Sequence, residues 1–201
     1  MGDKLYLVTF KQVDPFFVID LSTNTPKILG ELKIPGFSNY LQPYDENHII
    51  GIGRDTKENS WGGVEQKGVK ISMFDVSNFN KPKETDTIVI GDTGTYSDAI
   101  DSHKALLLDK SKGLISIPIK TDMASIKPQS KIVNEDYNKQ WYGFYVYSVD
   151  SSGFAEKGQI QHYAWQNNYG GQYMQPRSFY INDSLYTVMD GSMKINDINS
   201  L

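Results

Sequence analysis

The sequence predicts an all-β fold assembled from repeated units of four antiparallel strands. Three observations predict it. Two short phrases alternate along the chain, each with strand-like spacing. Turn-forming Asp, Asn, Gly and Pro punctuate them at short intervals. No stretch carries a sustained helical period of apolar residues. Composition agrees, since 13 Tyr, 9 Phe and 3 Trp suit pleated surfaces and 17 Gly with 8 Pro suit many tight turns.

The first phrase is a strand ending in Asp, a polar turn with Pro, then a second strand. Val18-Ile19-Asp20-Leu21-Ser22 leads through Asn24 and Pro26 to Ile28–Ile34. Met73-Phe74-Asp75-Val76-Ser77 leads through Asn80 and Pro82 to Thr85–Ile90. A weaker copy runs from Tyr147-Ser148-Val149-Asp150-Ser151 to Gly158–Tyr163, and a truncated one is Lys194–Asn199. The recurring Asp20, Asp75, Asp150 and Asp197 are read as turn residues whose carboxylates accept backbone N–H groups, because a catalytic role would not need one in every unit.

The second phrase is a pair of short strands about a tight polar turn. Its copies are Tyr40–Ile52 around Asp45-Glu46-Asn47, Ala105–Ile117 around Asp109 and Gly113, and Ser178–Val188 around Asn182-Asp183. Gly2–Val8 matches its second half. Asp, Asn and Gly at these turns tolerate left-handed backbone angles, as hairpins require. One short helical turn is expected at Ser97-Asp98-Ala99-Ile100, with Ser97 as its cap.

Joined, the phrases give strands two to four of one unit, two complete units, and strands one to three of another. The approximate boundaries are 2–37, 38–92, 103–165 and 177–201 within a single partial domain spanning 1–201. Repeated four-stranded sheets are the blades of a β-propeller, and one small sheet hides both apolar faces only by stacking against neighbours. A β-sandwich of hairpins is the rival, and the recurrence of the Asp-[Leu/Val]-Ser-x-x-x-Pro phrase favours the propeller. The prediction is a β-propeller fragment of about four blades, the first and last incomplete.

Three segments interrupt the repeat: the Gly-rich polar stretch Asp55–Gly68, the Lys- and Asn-rich Thr121–Gln140, and Trp165–Pro176. All three are expected to be loops, and insertions of this kind project from one rim and often carry binding.

Composition excludes several classes of function. Hydrophobic residues at 39% with 22% charged residues describe an ordered globular chain. A formal net charge of -4 offers no electrostatic footprint for nucleic-acid phosphates. No apolar run reaches the length of a transmembrane helix. Cysteine is absent, which removes disulfides, thiol catalysis and thiolate metal sites.

With those residues in view, the chain resembles the secreted β-propeller domain family of archaea and bacteria. The resemblance lies in Tyr6–Phe10 with Pro15–Ser22, Leu29–Ser38, Val69–Ser77, Gly94–Ala99 and His103–Leu107, and it weakens in Thr121–Gln140. It implies the propeller fold and an extracellular or cell-surface parent protein, with no assigned reaction. The chain looks like the C-terminal part of a longer domain and its Met1-Gly2-Asp3-Lys4 opening carries no signal peptide. Half a ring exposes sheet edges and apolar faces, so two copies are expected to pair as a homodimer that completes the propeller.

The densest polar cluster is Asp92–His103. Asp92, Tyr96, Asp98 and His103 are ligand-binding candidates there, and Asp92, Asp98 and Asp101 are candidate metal ligands. Carboxylates with loop carbonyls suit calcium, a hard cation, although the spacing is not that of the Asp-x-[Asp/Asn]-x-[Asp/Asn]-Gly loop. The competing reading is structural, with Ser97 and Asp98 capping a turn and His103 bonded to backbone. His48 is expected to pack at a strand start, and His162 to be exposed on an outer strand; three scattered histidines do not make a zinc site.

Trp61, flanked by Ser60 and Gly62, is the exposed aromatic candidate for a protein or carbohydrate ligand; Trp141–Tyr145 is read as packing. No nucleophile elbow, phosphate loop or dinucleotide fingerprint occurs. The expected function is therefore a non-enzymatic binding module. The alternative is a hydrolase or lyase with a carboxylate or metal site around Asp92, Asp98, Asp101 and His103, and the third reading is a purely structural half-domain.

Overall fold

The structure is a computed structural model that describes residues 1–9, 15–122, 140–165 and 175–201. Chain contacts divide it into two compact units. The first is Met1–Thr93 with Ser151–Phe154, and the second is Gly94–Asp150 with Ala155–Leu201. Among the described residues there is no α-helix; strands form four antiparallel sheets of three, four, four and three strands.

The first unit holds two sheets. One is β1 (Lys4–Val8), β2 (Pro15–Asp20) and β3 (Lys27–Lys33) in that spatial order. The other is β4 (Phe37–Pro43), β5 (His48–Glu58), β6 (Val64–Asp75) and β7 (Lys83–Ile90), again in chain order. Alternation decides what lies between them. Phe16 and Val18 of β2 point the same way and are fully buried. They form one core with Ile34, Ile49, Phe74 and Val76. Val18 and Ile19 flank a bulge against β3, which lets the strand bend there.

The second unit repeats the plan. Its first sheet is β8 (Leu107–Asp109), β9 (Leu114–Asp122), β10 (Gln140–Asp150) and β11 (Gly153–Trp165). Its second is β12 (Arg177–Ile181), β13 (Ser184–Met189) and β14 (Ser192–Asp197). Leu114, Phe144, Val146 and Ile160 of the one make a core with Leu185 and Met189 of the other. The hairpins into and out of β13 turn at Asn182, as the Asn182-Asp183 pair predicts, and at Asp190, both at positive φ (53° and 47°).

The expected loop at Asp55–Gly68 is corrected. β5 and β6 stay paired through Thr56↔Gln66, Lys57↔Glu65 and Glu58↔Val64, beyond a bulge between Arg54 and Thr56. The segment is a strand pair closed by a short turn, because a polar sequence on a two-stranded arm can satisfy its backbone by pairing while its side chains stay in water. Most of Thr121–Gln140 and of Trp165–Pro176 lies outside the described residues. At their ends, Thr121 and Asp122 complete β9, Gln140 begins β10 and Trp165 ends β11. The expected helical turn is present as a 3₁₀ turn at Asp98–Ile100, with Ser97 Oγ accepting the Ala99 N–H at 3.2 Å.

Candidate functional site

The β5–β6 arm presents the most exposed large aromatic side chain among the described residues of the first unit. Asn59 builds its tip. The Asn59 N–H donates to the Gly63 carbonyl at 2.8 Å, and the Gly62 N–H donates to the Asn59 carbonyl at 3.1 Å. Its side-chain Oδ1 accepts the N–H groups of Trp61 (3.1 Å) and Gly63 (2.8 Å). Gly62 takes φ +77°, a left-handed angle that suits glycine. The turn therefore holds its shape through its own bonds while Trp61 stands 92% exposed. Beside the base of the arm lies a groove of about 350 Å³, lined by the apolar Ile34, Pro35 and Val64 together with Lys33, Thr56, Lys57 and Glu58. Trp61 is not among the groove's lining residues; the same arm thus carries an exposed indole at its tip and a mixed apolar and charged groove at its base, both suited to recognition.

The residues of the Asp92–His103 cluster are divided between the two units. Asp92 is in the first, exposed, with Oδ1 accepting the Thr93 N–H at 2.7 Å and lying 3.2 Å from Lys67 Nζ. These bonds, the Thr93 N–H foremost, lower its pKa. Lys67 also pairs with Glu65 at 3.1 Å. The remaining members are in the second unit. The Tyr96 hydroxyl donates to Asp101 Oδ2 at 2.6 Å, and the Tyr96 backbone exchanges bonds of 2.7 and 2.8 Å with Lys120. Asp98 is buried, and its carbonyl accepts the N–H groups of Asp101 and Ser102. His103 is exposed at the start of a second 3₁₀ turn. Tyr96 and Asp101 are thus brought together, and Asp92 joins Lys67 on β6 instead. Among the described residues, no group of three or more His, Asp or Glu side chains is arranged to hold a metal ion.

Three of the four recurring carboxylates do what the repeat predicts. Asp20, Asp75 and Asp197 each accept the N–H two residues on, at 3.1, 2.8 and 2.8 Å. Asp20 also takes Lys4 Nζ at 2.9 Å, and these bonds, Lys4 first, bring its carboxyl down to about 2. Trp141, Tyr142 and Tyr145 are buried, so the aromatic run is packing as expected.

A family model described as "Beta propeller domain" matches residues 1–201. The chain belongs to that family. Two curated relatives of this propeller chain come from archaea, and each is called simply an uncharacterized protein. One, from Archaeoglobus fulgidus, is 44% identical over 118 residues, which is 58% of this chain and 17% of the relative. The other, from Methanocaldococcus jannaschii, is 42% identical over 119 residues, covering 59% and 17%. The matched stretch is about a sixth of those proteins' length. A crystal structure of a Lactobacillus plantarum protein aligns over 97% of this chain and 81% of its own at 13% identity, with a TM-score of 0.23.

Within the propeller chain, two buried polar residues stand where sequence reasoning places none. His162, expected on an exposed outer position, is 5% exposed. Its Nδ1 lies 3.0 Å from Ser192 Oγ and its Nε2 2.8 Å from Thr187 Oγ1, while Phe144 meets the ring edge-on at 5.7 Å. The strand period puts His162 on the same face as Ile160, and that alternation was the available signal. Lys70 lies buried in β6, its Nζ donating to the Pro35 carbonyl at 2.9 Å and pairing with Glu84 at 2.9 Å. His48 opens β5 as expected, 2.8 Å from Asp45.

Proposed function

We propose that this propeller chain is a non-enzymatic recognition module, extracellular or at the cell surface in its parent protein, that engages a protein or carbohydrate partner with the β5–β6 arm. One observation carries the reading. Trp61 is held 92% exposed on a turn that Asn59 and Gly62 shape, so exposure there is built rather than incidental. Leaving an indole in water forgoes the burial energy that makes Trp a core residue, and Trp is enriched among residues that anchor interfaces. The groove at the base of the arm supplies apolar surface and charges of both signs. The family match adds the fold, and the archaeal relatives add no activity. The same reading includes self-association of two copies, supported by the exposed Leu5, Leu7, Met193 and Ile195.

The test is a binding screen of the intact chain against a glycan array and against cell-surface proteins, repeated with Trp61→Ala. The expected result is a ligand whose affinity falls at least tenfold in the variant, with unfolding unchanged. A ligand bound equally well by both proteins removes the arm from the reading.

A further inference from the structure

Strand register makes the sheets comparable residue by residue. Lys4, His48 and Ser184 stand opposite Asp20, Asp75 and Asp197. In the first sheet Tyr6 pairs with Val18 and Val8 with Phe16. In the last sheet Tyr186 pairs with Ile195 and Val188 with Met193. The two faces are copies of one another, down to Leu5-Tyr6-Leu7-Val8 against Leu185-Tyr186-Thr187-Val188. Their fates differ. Phe16 and Val18 are fully buried in a core shared with Ile49 and Phe74, with the Phe16 and Phe74 rings stacked at 4.7 Å. Met193 and Ile195, at the same repeat positions, are 57% and 58% exposed.

The receiving side of that contact is duplicated too. By the same register Leu5 corresponds to Ile49, and Ile19 to Phe74. Ile49 is 2% exposed under the first sheet, whereas Leu5 is 42% exposed and Ile19 half-buried. Leu185, the third residue at this position, is fully buried in the core with Phe144 and Val146. Each bare face is therefore one side of an interface whose two sides already meet inside the first unit. Each apolar strip is edged by a charge, and the two are of opposite sign: Arg177 stands opposite Val188 on the one face, and Glu31 stands opposite Phe17, the partner of Leu7, on the other.

We propose that a second copy of this chain covers these faces, head to tail. The Met193–Ile195 face of one copy docks on the Leu5–Ile19 face of the other and continues the sheet-on-sheet interface that Phe16 and Val18 make with Ile49 and Phe74. Contact of the Met193 face with itself would repeat nothing the molecule contains, so each contact joins the Met193 face of one copy to the unlike Leu5 face of the other, reciprocally in a pair of copies. This rests on the self-association named under the proposed function and adds its faces and its direction.

Cysteine is absent from the chain, so Met193→Cys and Leu5→Cys variants each carry a single thiol. The two, differing in tag length, are mixed at tens of micromolar and oxidised. The expected product is a covalent dimer with one chain of each kind, formed at least tenfold faster than either variant couples to itself. Preferential self-coupling of Met193→Cys overturns the head-to-tail direction and leaves self-association standing. A chain that is monomeric by light scattering and couples in no mixture overturns both, without touching recognition by Trp61. A Met193→Glu/Ile195→Lys variant, altered only at exposed positions, sediments as a monomer under the proposal with unchanged circular dichroism. A variant that still sediments with the wild type overturns it.

Discussion

The rings of Phe16 and Phe74 stack at 4.7 Å with their planes 19° apart, joining β2 of the first sheet to β6 of the second. Both side chains are fully buried. The aromatic pair sits at the centre of a core that includes Ile34, Ile49 and Val76, so little around it can collapse into a vacated space.

Replacing Phe16 by Ala is accordingly expected to cost about 4 kcal/mol, the lost transfer energy plus the cavity. Phe16→Leu keeps most of the volume and is expected to cost about 1.5 kcal/mol. Urea unfolding followed by tryptophan fluorescence measures both. A Phe16→Ala midpoint near that of the wild type would mean that the two sheets are not held by this core.

His162 is expected to make the protein sensitive to mild acid. Ser192 Oγ already donates to the Met189 carbonyl at 3.0 Å, so it accepts from His162 Nδ1–H, and Nε2 accepts from the Thr187 hydroxyl. The neutral ring is fully satisfied. Protonation would set a second N–H against Thr187 in a buried site. Burial first, then the positive Lys194, brings its pKa down to about 4 against the opposing pull of Asp190. The folded value lies below the unfolded one near 6.5, so the unfolded state takes up the proton first as pH falls. Stability from this group is thus complete above about pH 6.5 and is expected to decline toward pH 4, by about 3 kcal/mol. Unfolding free energies at half-unit pH steps test this, with His162→Gln expected to flatten the profile over that window. An unchanged slope in the variant would assign the acid sensitivity to other groups.

Lys70 and Glu84 form an ion pair in the second sheet, at 2.9 Å, with Lys70 also bonded to the Pro35 carbonyl. Lys70→Ala would leave the carboxylate without its partner in a mostly buried site and is expected to cost about 3 kcal/mol. Lys70→Met/Glu84→Leu replaces both charges by apolar volume and is expected to recover most of that loss. Equal damage from the single and the double change, by thermal or urea unfolding, would show that the pair acts through packing alone.

Much of the fold was legible because the repeat is written in short-range chemistry. The Asp20, Asp75 and Asp197 turns close on N–H groups two residues away, and Asn182 and Asp190 take the left-handed angles that hairpins need. The grouping into sheets of three, four, four and three strands follows from counting those phrases. The candidate site was legible in part. Trp61 between Ser60 and Gly62 reads as exposed and is so. The Asp92–His103 cluster reads as one site, yet Asp92, in the turn after β7, pairs with Lys67, which stands 25 residues earlier on β6. Proximity in sequence counted for less there than pairing across the sheet.

The chain by itself determined its strands, their turns and which side chains share a face, because a period of two and the backbone tolerance of Asp, Asn and Gly are properties of a few consecutive residues. The tertiary structure decided which of those faces are hidden. Phe16 and Met193 hold the same place in the repeat, and only the presence of Phe74 against the first of them makes one a core residue and the other a surface residue. His162 and Lys70 make the same point for polar groups: Thr187 and Ser192 of the neighbouring sheet satisfy the one, and Glu84 of the adjacent strand with the Pro35 carbonyl satisfies the other, which offsets the cost of their burial.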